Sequence, residues 1–218
     1  MKHSKHFERG VIILAALNYR LGARGFLTGS DVENDGGLNA GLLDQRLALT
    51  WVQDNICLFG GSHGKVTIME ESAGGGSVLF HMLNAGNQGT KAPFAQAIIE
   101  SSALFPTVAP PKSAYSGFLE ALKLTNLAET CKASSEAVIA ANARQIGTAP
   151  AATYTHGTVH DCRLSPDNPY ALFKAGQFNK SVKVLAADNS FKGEFFFDAD
   201  HSSNETFSPN LTLYRRPV

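Results

Sequence analysis

Unbroken apolar runs alternate along this chain with stretches of three-to-four spacing, and that alternation sets the expected elements. Val11–Leu17 is continuous and apolar, then gives way to Asn18-Tyr19-Arg20, which reads as a strand buried on both faces. Lys2, Lys5 and Arg9 ahead of it give the outline of a signal peptide, but no small-residue cleavage site follows. Gly22, Gly25 and residues 29–39 form a polar, glycine-rich loop. Between 42 and 59, apolar residues recur at Leu43, Leu47, Trp51 and at Leu49, Val52, Ile56, as on a core-facing helix. Asn39 is its expected cap and Gly60-Gly61 its stop. Val66–Met69 predicts a strand, Ala73–Leu83 a helix closed by Gly86, and Ala97–Glu100 another strand. Strands and helices in this order predict a parallel sheet with helices on both faces.

The second half carries weaker patterns. Pro106, Pro110 and Pro111 interrupt it. Helical spacing resumes at Ser116–Leu124 and Ser135–Ile146, and a short helix is expected over Tyr170–Ala175. Val182–Ala187 reads as one more sheet strand, and the tail from Asp198 onward as loop. No internal repeat or domain boundary is visible, so residues 1–218 read as one partial domain.

Composition narrows the function classes. The 218 residues are 44% hydrophobic, enough to bury a core. Nineteen basic residues balance nineteen acidic ones without a long single-sign run, so no nucleic-acid partner is expected. No apolar run is long enough to predict a transmembrane segment. Cys57, Cys131 and Cys162 have no metal-ligand spacing, and neither a metal nor a cofactor is expected.

The candidate chemistry lies at Glu70-Glu71-Ser72-Ala73-Gly74. A β-branched strand breaks at a serine and a glycine run opens a helix, the layout of a nucleophile elbow. The plainer reading of Ser72 is an ordinary helix N-cap. Several segments carry a wider likeness: ALNYRLGARGFL (16–27), GLLDQRLALTWVQDNI (41–56), FGG (59–61), KVTI (65–68), ESAGG (71–75), AIIESSA (97–103) and KVLAADNSFKG (183–193). Together, in this order, they resemble the type-B carboxylesterase/lipase family, with fungal esterases, cholinesterases and Candida rugosa-type lipases among its members. The resemblance implies an incomplete α/β-hydrolase fold, a mostly parallel sheet with flanking helices. It also implies acyl transfer from a small-molecule ester to Ser72, with the Ala73 N–H as an oxyanion donor at a helix start. Arg20 and Asp44 are implied as a buried ion pair bracing the sheet.

Several positions depart from the family pattern. Its elbow is Gly-x-Ser-x-Gly, and here Glu70 replaces the first glycine. A side chain there is expected to clash across the turn or force it open. The aligned acid position holds Lys192, which cannot orient an imidazolium; Glu194 is the carboxylate nearby. The family's histidine follows its acid, and His201 is the one histidine after Lys192. His63 replaces a proline, and His81 is expected to be packed or half-exposed rather than catalytic. The glycine-rich oxyanion segment that members carry before the Asn-Tyr-Arg strand has no counterpart. Cys131 resembles one member of a family disulfide whose partner is missing. Sequons at Asn179, Asn204 and Asn210 fit a secreted ancestor. Three readings follow: an ester hydrolase represented by an internal fragment, a non-catalytic relative acting through its surface, or a decayed product.

Overall fold

A computed structural model describes residues 12–87, 89–104, 112–149, 154–161, 163–164 and 167–191, without the side chains of 85–87 and 112–113. Three helices come first: α1 (Gly22–Phe26), α2 (Ser30–Asn34) and the long α3 (Ala40–Asn55). The strand β1 (Thr67–Glu71) passes without a loop into α4 (Ser72–Asn87), and β2 (Gln96–Glu100) follows. A helical stretch comprises α5 (Lys112–Leu122), α6 (Leu127–Thr130) and α7 (Ser135–Gly147). Then α8 (Pro169–Lys174) leads into β3 (Lys183–Ala187).

The strands pair in parallel in the order β1-β2-β3. Ala97 lies between Ile68 and Val184, and Glu100 between Glu71 and Ala187. Because side chains alternate across a strand, Ala97 and Ile99 share one face. They are buried there against Val78 and Met82 of α4 and Leu49 of α3. The opposite face carries Met69 and Leu185, 60% and 57% exposed. Helices therefore pack on one face, and the described residues leave the other open. A second cluster joins Ala23, Leu27, Val32 and Leu38 to Phe118, Ala141 and Val159. A third, of Leu42, Phe80 and Leu164, lies between α3 and α4.

Local sequence explains most of the boundaries. Gly60, at φ +81°, closes the 3₁₀ turn Ile56–Phe59 that ends α3. Asn168 caps α8 by accepting from the Tyr170 N–H at 2.9 Å, with Pro169 in the first turn. Ser134 caps α7.

Six expectations change, the first being that helices cover both faces of the sheet: among the described residues they cover one. Residues 12–17 enter no sheet, and Ile12 and Leu14 are 88% and 89% exposed; an apolar run becomes a strand only where a neighbour pairs with it and a layer covers it. The core face of α3 runs through Leu42, Gln45 and Leu49, while Leu47 and Trp51 face outward. Trp51 instead meets Phe59, ring centroids 6.0 Å apart. The glycine-rich loop at 22–39 contains α1 and α2. Asn39 starts α3 at φ +54° but its side chain does not cap it. Its amide pairs instead with the backbone N–H and C=O of Val159, at 3.0 and 2.8 Å, and with the Asp161 carboxylate. Finally, α4 continues through Gly86 to Asn87.

Candidate functional site

Ser72 follows directly on the last residue of β1, at the carboxyl end of a parallel strand, where open α/β sheets bind their ligands. Its φ is +54° and its side chain is exposed. A left-handed serine is strained and persists only when its surroundings hold it there. Here the Ser72 carbonyl accepts a 2.8 Å hydrogen bond from the Ala103 N–H, tying the bend to the segment beyond β2. Ala73 follows in the first turn of α4, where backbone N–H groups have no intrahelical acceptor.

The glycines after Ser72 set how closely α4 approaches the sheet. A β-carbon on Gly75 would lie 3.1 Å from Ser102 Cβ and 3.3 Å from Ile99 Cγ2. One on Gly76 would collide with the Ala103 carbonyl oxygen. At Gly74 the space is taken by Glu70, with whose Oε2 an added β-carbon would collide and whose Cδ would lie 2.8 Å from it. The expected opening of the turn does not occur. Because residue 74 lacks a side chain, the glutamate fits beside it, and β1 stays paired through Glu71.

A buried polar network, which neither spacing nor motif announced, braces the elbow from below. Gln45 of α3 donates to Ser77 Oγ at 3.3 Å, and Ser77 donates to the Ala73 carbonyl at 3.2 Å. The Gln45 Oε1 lies 2.8 Å from His81 Nε2. A neutral ring with its proton on Nε2 satisfies that contact. Burial, and then the charge of Arg46, push the His81 pKa down to about 3. Tyr19 shares a hydrogen bond with Gln45, and its phenol is raised by burial and then by the charge of Glu70. Nearby, Arg20 grips Asp44 with two 2.7 Å hydrogen bonds. Their side chains are 53% and 25% exposed, so the pair is present but not buried.

The other predicted groups divide between placed and not described. His81 stands nine residues beyond Ser72, about 14 Å along the helix, and is consumed by Gln45. His63 precedes β1, at the end of the strand away from Ser72. Among the described residues no hydrogen bond joins a histidine to the Ser72 hydroxyl. Lys192, Glu194 and His201 lie outside the described residues, as do Cys162 and the sequons at Asn204 and Asn210. Cys131 is a free, exposed thiol. The turn leading toward Glu194 is fixed beside the elbow. Ser101 donates from its N–H to Ala187 O at 2.7 Å, and its Oγ accepts from the Asn189 N–H at 3.0 Å. Ser101, at φ +43°, was not legible as a site residue. Among the described residues no cluster of histidine, cysteine or carboxylate side chains suits a metal, and no helix is long and apolar enough to cross a membrane.

Residues 1–215 match the carboxylesterase family. The carboxylesterase patB of Aspergillus clavatus is 39% identical over 206 residues, which cover 93% of this chain and 37% of that protein. Lipase 5 of Diutina rugosa is 50% identical over 99 residues, 44% of this chain and 18% of the lipase. Among solved structures, a thermophilic pNB esterase superposes with a TM-score of 0.74 at 31% identity, over 90% of this chain and 41% of the esterase. The chain thus spans well under half the length of these relatives.

Proposed function

The chain belongs to the carboxylesterase family and has its α/β-hydrolase fold, and from that premise we propose that its chemistry is acyl transfer from a small carboxylic ester to the Ser72 hydroxyl. Ser72 Oγ attacks the ester carbonyl carbon while a general base takes the hydroxyl proton. The carbonyl π pair moves onto oxygen, and the resulting oxyanion meets the Ala73 N–H at the positive end of α4. Collapse expels the alcohol, which carries away the proton, and leaves an acyl ester on Ser72. Water repeats the sequence and releases the acid. The base is a histidine that the family order puts after the acid, and Glu194 is the carboxylate we assign to orient it.

One observation carries this reading: an exposed serine held at φ +54° where a parallel strand passes into a helix. A serine serving only as an N-cap needs no positive φ, since cap residues sit in the β region. Lys192 at the aligned acid position favours a second reading, a relative that acts through its surface without catalysis. Release of p-nitrophenol from p-nitrophenyl acetate separates the two. The esterase reading predicts release that Ser72→Ala abolishes; release unchanged in Ser72→Ala, or none above buffer, refutes it.

A further inference from the structure

Resting on the reading of Ser72 as nucleophile, we propose that Glu70 restrains the elbow through its charge: the carboxylate lodged beside the first turn of α4 opposes the negative charge that develops as Ser72 attacks.

Alternation along β1 sends Ile68 and Glu70 to the helix-covered side and Glu71 to the other. Ile68 packs into the core there, and Glu70 continues the same row up to the bend. Its carboxylate rests against Gly74, two residues beyond Ser72. The N–H groups of that turn have no intrahelical acceptor and form the positive end of the helix. A carboxylate beside them stabilises the resting helix. The same carboxylate raises the energy of a second negative charge at Ala73, where the oxyanion would form.

No described cationic side chain pairs with that carboxylate. Among the described residues Arg20 pairs with Asp44, and no described ion pair includes Glu70. Tyr19, whose phenol is raised by burial and then by the charge of Glu70, stays neutral near pH 7. Space cannot be the reason for an effect of residue 70, because the bend keeps its left-handed serine and its bond to Ala103 with the glutamate in place. Charge is the property left to act.

The test compares rates of fluorophosphonate labelling in the wild type, Glu70→Gln, Glu70→Gly and Ser72→Ala, at low and high salt. In the labelling step the Ser72 Oγ–P bond forms, the P–F bond breaks, fluoride leaves and the hydroxyl proton passes to solvent, with negative charge building on the phosphoryl oxygen. Glutamine keeps the shape and removes the charge. Glu70→Gln should therefore label about three- to tenfold faster at low salt, and the difference should shrink as salt screens the carboxylate. Equal rates for wild type and Glu70→Gln, with Glu70→Gly faster, would assign the effect to space and overturn the proposal. Equal rates throughout would overturn it as well. Absence of Ser72-dependent labelling in every variant would instead bring down the nucleophile reading on which the proposal rests.

Discussion

His81 shows how a histidine close to a candidate nucleophile can serve the fold, packed as expected on the helix after the bend. Its ring is 3% exposed and bound to Gln45, so protonation would place an unsolvated cation between α3 and α4. The folded pKa is about 3, against about 6.5 for an exposed histidine. Between those values the unfolded chain binds a proton that the native state does not, so stability falls as pH drops below about 6.5. The loss from pH 7 to pH 5 should be about 2 kcal/mol at this residue. Urea unfolding at the two pH values should show that loss in the wild type and a clearly smaller one in His81→Gln; equal losses would contradict the assignment. Ser72 was legible because glycines follow a strand there. Gln45 was not: a glutamine among apolar neighbours reads as the polar face of a helix until its partners are known. Glu70 was legible as a departure, but the expected clash presumed a crowded elbow and did not anticipate that Gly74 leaves room.

At the scale of elements, the contact between α4 and the segment after β2 sets the geometry of the bend. Gly74-Gly75-Gly76 were readable as a close approach, since a glycine run at a helix start otherwise weakens it. What they approach was not, because the partner Ser101–Leu104 follows a different strand. Gly76→Ala drives a methyl group against the Ala103 carbonyl, and overpacking of this kind costs about 1–3 kcal/mol. The thermal midpoint should drop by several degrees, and Gly36→Ala is no matched control because φ there is +76°. Gly147→Ala is one, since its added carbon meets nothing within 4 Å, and it should leave the midpoint unchanged or higher. A Gly76→Ala midpoint equal to the wild type would show that helix and segment are further apart. Of the two stripes expected on α3, the one through Leu49 and Ile56 is buried and the one through Leu47 and Trp51 is not, for a similar reason. The helix carries two apolar stripes, and periodicity alone does not say which one a neighbouring layer will cover. Asn39 was placed correctly at the helix start, but its bonds run to Val159 and Asp161, about 120 residues away in sequence, and no local pattern encodes them.

For the whole molecule, parallel direction followed from the succession of strand and helix, and all three described strands fall where the apolar runs predicted them. The run at 12–17 did not join them. A strand depends on its neighbours for pairing and cover, and those are properties of the assembled sheet. Among the described residues the face with Met69 and Leu185 is uncovered and the Arg20–Asp44 pair is part-exposed, and what the chain holds is a strand-to-helix bend that we propose presents Ser72 as a nucleophile. The most direct test of that claim is to treat the purified chain with a fluorophosphonate and map the adduct by mass spectrometry. The account predicts one phosphonyl group per chain, on the peptide bearing Ser72 and absent from Ser72→Ala. An unmodified chain, or an adduct spread over other serines and retained in Ser72→Ala, would contradict it.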